Sequence, residues 1–370
     1  MTTRPPETPV ERTARLFRQQ AEGCAAMGSP LYDVLLRRAA DDLLAGGPTA
    51  AVLDGHLDDP GPSALALRMM GGVHALVLAQ QAPELARFYP SVSPSGDVAG
   101  PPEQACEAFL STLEAHRDRV REWLHGPPQT NEVGRGAALI GGLMHACAEA
   151  PLPVRLVEIG ASAGLNLRAD RFRIDGEVAT YGDPSSPVQL GPAWHGTRPP
   201  RATLEIVERY GGDLHPVDVS TREGRLLLTA YVWADQGARL QRLRGAFELA
   251  SALPAEVRRE SAEQTLERTS LANDAWTVVW HSVFQQYLSA EDRASLATRI
   301  ESLGDEATGR RRFGYLTLEP TRRTPDRNDS PQVAGARGYE FLVTLRTWPG
   351  GDERVLGTAS GHGIPTTWER

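Results

Sequence analysis

The run Val154-Arg-Leu-Val-Glu-Ile159, leading straight into Gly160-Ala-Ser-Ala-Gly164, constrains this chain more than any other stretch. A short apolar run that stops at glycine is strand-like, and the residues after the glycine turn read as a helix start. The texture of the sequence changes here. Residues 10–150 read as helices: one opens on Val10, Leu16 and Phe17, one starts after Ser29-Pro30, and residues 64–80 and 103–124 form two more. Beyond 150, apolar runs at 203–207, 256–259, 276–280 and 313–318 come with helical stretches at 238–251 and 290–303. Alternation of this kind implies a parallel sheet with right-handed crossovers. Residues 339–347 and 353–359, around Trp348-Pro-Gly-Gly-Asp352, read as a β-hairpin. The expectation is an all-helical N-terminal cap over 1–150 and an α/β domain over 151–370, its mostly parallel sheet closed by an antiparallel hairpin.

Composition narrows the chemistry. The chain has 370 residues, enough for two domains, and a net charge of -8 from 39 basic and 47 acidic side chains. Every basic residue is arginine. Without lysine, Schiff-base chemistry, pyridoxal phosphate anchoring, a Ser-Lys dyad and the phosphate-loop lysine are all excluded. The acidic balance argues against nonspecific nucleic-acid binding, and Arg310, Arg311 and Arg312 read as a solvated turn before a strand. Cys24, Cys106 and Cys147 are too scattered for a disulfide framework or a zinc site, and the histidines lack ligand spacing, so no metal is expected. No run reaches the roughly 20 apolar residues of a membrane span, and the N-terminus lacks the pattern of a signal peptide. A cytoplasmic protein with a small-molecule substrate, and no nucleic-acid or membrane partner, is the expectation.

The glycine turn admits two sharp readings beside a purely structural one. It is either a cofactor cradle or a G-x-S-x-G nucleophile elbow with Ser162 attacking. An elbow follows several strands, whereas this strand would be the first of its sheet, the place expected for a cofactor turn. A hydrolase would also need an acid and a base downstream, with Asp218 or Asp235 and His362 as candidates.

Two resemblances add to this. Glu158-x-Gly160-x-Ser162-x-Gly164 resembles the [DE]-x-G-x-G-x-G pattern of class I S-adenosylmethionine-dependent methyltransferases, with serine in place of the middle glycine. Gly212-Asp213-Leu214-His215-Pro216 looks like the segment that ends their second strand, where the acid grips the ribose hydroxyls. Glu260 and Ser261 stand where that superfamily approaches adenine, and an insertion at about 171–200 accounts for the long interval between Glu158 and Asp213. The resemblance implies a Rossmann-like sheet of seven strands and S-adenosyl-L-methionine held at Glu158, Gly160, Ser162, Gly164, Asn166, Asp213, Glu260 and Ser261. The chain also resembles, over nearly its whole length, an uncharacterised bacterial family, domain of unknown function 2332. That likeness rests on Gln129-Thr-Asn-Glu-Val-Gly-Arg135, Val157-Glu-Ile-Gly-Ala-Ser-Ala-Gly-Leu-Asn-Leu167, Tyr231-Val-Trp-Ala-Asp-Gln236 (the family more often has proline for Ala234), His281-Ser282, Gln286-Tyr287-Leu288, Gly361-His362-Gly363 and Trp368. It implies membership without an activity.

Methyl transfer is an in-line displacement that needs alignment, and a base only when the acceptor sheds a proton. Open α/β sheets place such groups at the carboxyl ends of strands. His281 and Ser282, after the strand at 276–280, are the catalytic candidates, with His281 as base or else a loop-bracing histidine. Asn131, Glu132, Arg135, Asp235, Gln236 and His362 are the substrate-side candidates. Their plainer readings are a helix-surface ion pair for Glu132 and Arg135, a helix N-cap for Asp235 and a flexible tail for His362. Trp233, Trp276 and Trp280 read as core. The expected activity is methylation of a small molecule at O or N. A non-catalytic, cofactor-binding regulatory protein and a serine hydrolase using Ser162 are the alternatives.

Overall fold

The computed structural model describes residues 7–60, 63–93, 95–321 and 340–369. The helices are α1 (Pro9–Ala26), α2 (Pro30–Leu44), α3 (Pro48–Leu53), α4 (Leu65–Leu78), α5 (Pro83–Ala86), α6 (Ala105–Ala115), α7 (Arg117–Glu122), α8 (Gly136–Glu149), α9 (Arg222–Ala230), α10 (Gly237–Ala252), α11 (Ala262–Arg268) and α12 (Ala290–Asp305). The strands are β1 (Val154–Ile159), β2 (Arg173–Asp175), β3 (Thr180–Tyr181), β4 (Gln189–Leu190), β5 (Trp194–Gly196), β6 (Ile206–Asp213), β7 (Glu256–Arg259), β8 (Ala275–Ser282), β9 (Arg311–Thr321), β10 (Glu340–Trp348), β11 (Asp352–Ala359) and β12 (Thr366–Trp368). The chain divides into two compact units, one of residues 1–130 with 222–240, the other of 131–221 with 241–370.

In the first unit, Thr8 closes a capping box with Glu11 and starts α1, and proline begins α2, α3 and α5. Phe17, Leu35, Leu36, Met69, Met70, Phe109 and Leu113 are buried together in its core. Trp233 joins that core, stacked on Tyr32 at 5.9 Å. This is why residues 222–240 belong here although they follow β6 in sequence. The helix read over 103–124 is broken at His116, where α6 ends and α7 begins.

The second unit holds a nine-stranded sheet in the order β5-β12-β11-β10-β9-β8-β1-β6-β7. From β9 through β7 the neighbours are parallel, while β9, β10, β11 and β12 run antiparallel in succession and β5 lies parallel to β12. The fold is therefore mixed α/β around a mostly parallel sheet. β5 and β12 extend the expected seven strands to nine: the inserted segment and the C-terminal residues pair with each other, Thr366 opposite Trp194. The rest of the insertion makes a small sheet, β3-β2-β4. β8 is buried along almost its whole length, as a central strand covered on both faces must be, so it reads as a continuous apolar run.

α8 belongs with the sheet and not with the helices before it, so the boundary expected at 150 lies at 130. Its glycines are the reason. A Cβ on Gly141 would sit on the Trp368 ring and one on Gly142 on the Leu316 side chain, so the helix backbone can lie close against the strands.

Candidate functional site at the ends of β1, β6 and β8

In strand order, β6 and β7 lie on one side of β1 while β8 and β9 lie on the other. Open α/β sheets bind ligands at such a reversal, outside the carboxyl ends of the strands. Glu158 stands near the end of β1 with Gly160 just beyond it, Asp213 ends β6, and His281 and Ser282 end β8.

The glycine turn after β1 is tight. Gly160, Ser162 and Gly164 all take positive φ, at 65°, 52° and 63°. A Cβ at Gly160 would meet the Phe284 ring at 2.4 Å, so glycine is required there on two counts. The turn is pinned by this chain's own side chains. Ser162 N–H donates to Asp213 Oδ2 at 2.8 Å, and Leu165 N–H donates to Asn131 Oδ1 at 2.8 Å. Asp213 Oδ1 accepts from His215 N–H at 2.8 Å, so the acid read as a ribose ligand first fastens two backbone segments. The expected helix start is replaced by a 3-10 helix, Leu165–Arg171. A 3-10 helix of seven residues lacks the aligned dipole with which an α-helix favours an anion at its N-terminus.

Asn131, Glu132 and Arg135 are brought to this turn. Asn166 Nδ2 donates to the Glu132 carbonyl at 3.1 Å, and Gly134 N–H to Glu132 Oε1 at 3.2 Å. Arg135 donates to the Gly361 carbonyl at 3.1 Å and to the Ser282 carbonyl at 3.2 Å. A single guanidinium thus ties the end of β8 to the loop carrying His362. That loop is folded down: Gly363 lies against the backbone of Arg135, and the His362 carbonyl lies against Gly134. The segments 131–135, 160–166, 281–282 and 361–363, distant in sequence, form one cluster.

Glu158 stands out electrostatically. It is 3% exposed, and its Oε2 makes no full hydrogen bond among the described residues, although the Trp280 indole on β8 acts on the carboxyl. Burial pushes its carboxyl up to about 8, so it is largely neutral at pH 7. Asn166 Oδ1 is a second buried acceptor, and it has no hydrogen-bond partner among those residues.

Four of the expected site residues have other work. Asp235 accepts from Ser29 Oγ at 2.6 Å and from Leu31 N–H at 3.0 Å, which caps the start of α2 within the first unit. Gln236 donates to the Met27 carbonyl at 2.7 Å and accepts from Arg239 at 2.8 Å, holding the same corner. Glu260 pairs with Arg268 at 3.0 Å, and Ser261 N-caps α11 in a capping box with Gln264. Acids and hydroxyls beside helix starts go to the orphan amides first, which explains why such residues are drawn away from a ligand.

His281 is fully buried, and both its ring nitrogens are engaged. Nδ1 lies 2.7 Å from Glu319 Oε1, and Nε2 lies 2.6 Å from the Tyr315 hydroxyl. Glu319 Oε1 also accepts from Phe284 N–H at 2.8 Å. Between them, Val283 takes φ +51°, a costly conformation for a β-branched residue. The sequence reading missed Tyr315 and Glu319. The sequence signal is limited to the alternation of Tyr315, Thr317 and Glu319 in an apolar strand; it is the register, with His281 opposite Thr317, that places 315 and 319 on one face to either side of the histidine. Polar side chains at alternate positions of a buried strand mark a network. Among the described residues there is no cluster of three metal-ligating side chains, and no helix is long and apolar enough to cross a membrane.

An open, mostly parallel sheet with polar groups gathered at its strand-order reversal makes this a mixed α/β protein. The chain belongs to the family described as uncharacterized protein conserved in bacteria (DUF2332), whose model matches residues 14–368. No curated protein matches the sequence.

Proposed function

We propose that this protein is a cytoplasmic, S-adenosylmethionine-dependent methyltransferase of a small molecule, built on a Rossmann-like sheet. The observation that carries the reading is the pair of buried acceptors that make no full hydrogen bond among the described residues, Glu158 Oε2 and Asn166 Oδ1, beside a turn with three positive-φ residues. Buried acceptors without donors are costly unless a ligand supplies them. A ligand carrying an ammonium group and hydroxyls fits that requirement, and a nearby cation returns Glu158 to its carboxylate form. Strand order supports the reading too, since β7-β6-β1-β8-β9 follows the 3-2-1-4-5 arrangement of doubly wound sheets.

In this reading Glu158 and Asn166 hold the amino-acid end of the cofactor. Asp213 keeps roughly half of its acceptor sites after taking two backbone amides, and these suit ribose hydroxyls. The bound cofactor supplies a methyl group on a sulfonium centre. The chain supplies alignment, a site closed by the Arg135 tie, and an outlet for the acceptor's proton at the end of β8. One observation favours a second reading, a cofactor-holding protein without turnover: His281 has no free ring nitrogen for a substrate.

Calorimetry with S-adenosylmethionine and S-adenosylhomocysteine tests the proposal. Both are expected to bind the wild type, and Glu158→Ala should weaken both by about tenfold or more, the cost of a lost charge-assisted hydrogen bond. Binding of neither by the wild-type protein sinks the cofactor reading.

A further inference from the structure

The geometry around His281 fixes a direction for proton movement. Glu319 Oε1 accepts from Phe284 N–H, so that oxygen acts as an acceptor toward His281 as well. Nδ1 therefore carries the hydrogen, and Nε2 presents its lone pair to the Tyr315 hydroxyl. The order Tyr315–His281–Glu319 is that of a hydroxyl, its base and the carboxylate that orients the base. The tyrosine ring also packs on the histidine, with centroids 5.4 Å apart, and Phe284 covers the imidazole from another side at 5.6 Å.

A bracing network alone explains this poorly. Glu319 Oε2 is buried without a partner among the described residues, and Val283 is held at positive φ in the residue just before the amide donated to Glu319. A buried polar group left half-satisfied is less favourable than an apolar pair of similar shape. Strain and an unsatisfied carboxylate are what a site keeps when orientation matters. His281 and Glu319 are buried, whereas Tyr315 is only partly so.

We infer that Tyr315 is the residue that exchanges a proton with the bound acceptor, with His281 and Glu319 as positioning residues behind it. The inference rests on the methyltransferase reading for its biological use, but not for its test. As the acceptor's proton passes to Tyr315 Oη, the tyrosine's own proton passes to His281 Nε2, and the resulting imidazolium faces the Glu319 carboxylate. With S-adenosylmethionine bound, the acceptor–methyl bond would form as the sulfonium–methyl bond breaks, S-adenosylhomocysteine would leave, and the acceptor's proton would be accounted for on His281, with no oxidant needed. Burial and the Glu319 charge raise the Tyr315 hydroxyl above its usual range, so a free tyrosinate is disfavoured and the two transfers go together.

The test uses methanesulfonyl fluoride on the full chain, with sites read by peptide mass mapping. An activated tyrosine attacks sulfur: the O–S bond forms, S–F breaks, fluoride leaves and the proton goes to His281. Of the eight tyrosines, Tyr315 is expected to react first, ahead of the more exposed Tyr287. His281→Gln should slow its labelling by about a hundredfold and Glu319→Gln by about tenfold, with Tyr287 unchanged as the folding control. Tyr315 left unlabelled while Tyr287 reacts overturns the inference, and so does labelling that His281→Gln leaves unchanged. The wild-type result decides the matter if a variant does not fold. Labelling at Ser162 instead overturns it in favour of the hydrolase. A protein that binds no S-adenosylmethionine yet labels at Tyr315 refutes the cofactor reading alone; the converse refutes the relay alone.

Discussion

Two turns leave the sheet side by side, after β1 and after β8, and they are built on opposite plans. The first uses glycine at two of its three positive-φ positions, Gly160 and Gly164, with Ser162 between them, and secures its amides with side chains from far along the chain, Asp213 and Asn131. The second has no glycine: Val283 takes the left-handed conformation, and the amide after it goes to a buried glutamate. Glycine relieves the strain of a tight backbone; valine retains it. The contrast separates a turn shaped for close approach from one that holds a side-chain network in register.

The comparison breaks first at Gly160. Gly160→Val places a β-branched residue at φ +65° and its Cβ within 2.4 Å of the Phe284 ring. Strain of about 1–3 kcal/mol and overpacking of about 1–3 kcal/mol should combine to a loss of roughly 4 kcal/mol in urea unfolding. Because Phe284 also donates to Glu319, the damage should reach the second turn. A loss below about 1 kcal/mol, the lower bound of the strain alone, would mean that the two turns are not packed as described.

Glu158 gives the next largest effect. Its carboxyl is raised from 4.5 to about 8 by burial, so the folded chain holds a proton that the unfolded chain releases. Stability from this group is complete below about pH 4.5 and is lost as pH rises through 8. The loss is on the order of a few kcal/mol, since each tenfold change in proton affinity is worth about 1.4 kcal/mol. Glu158→Gln should flatten that slope in unfolding curves taken from about pH 5 to about pH 8.5, the window between the unfolded and folded titrations. His74 and His145, which burial holds down to about 4, give a slope of opposite sign that cancels between the two proteins. Parallel curves for wild type and variant would show that the carboxylate is not buried as a neutral acid.

Much of this is legible in the sequence. The strand at 154–159, the alternation beyond it and the hairpin around Gly350 and Gly351 follow from periodicity and turn chemistry, which are local. The pairing of the inserted segment with the C-terminal residues is not legible, because β5 and β12 have three residues each and derive their order from partners across the chain. At the site, Asn131, Glu132, Arg135, Glu158 and Ser282 stand out from their motifs, whereas Asp235 and Gln236 belong to the first unit and bond to residues of that unit. Both stand next to a helix in sequence, yet Asp235 serves the start of a different helix, 204 residues away, and Gln236 the carbonyl at the end of α1. Tyr315 and Glu319 are hidden by the strand that carries them, since a parallel register cannot be known before strand order is known.

The smallest effect is the most discriminating. Val283→Gly removes the penalty of a β-branched residue at φ +51°, worth about 1–3 kcal/mol. Against this stand the greater freedom of glycine in the unfolded chain, about 0.5–1 kcal/mol, and the loss of a partly buried side chain. The expected net change is a gain of about 0.5 kcal/mol, opposite in sign to Gly160→Val. Labelling at Tyr315 should fall in the same variant, because a looser turn no longer holds Phe284 N–H on Glu319. More stable and less reactive is the combination that identifies retained strain as serving the network. A variant that is clearly destabilised, by about 2 kcal/mol or more, would show that the valine is there for its packing.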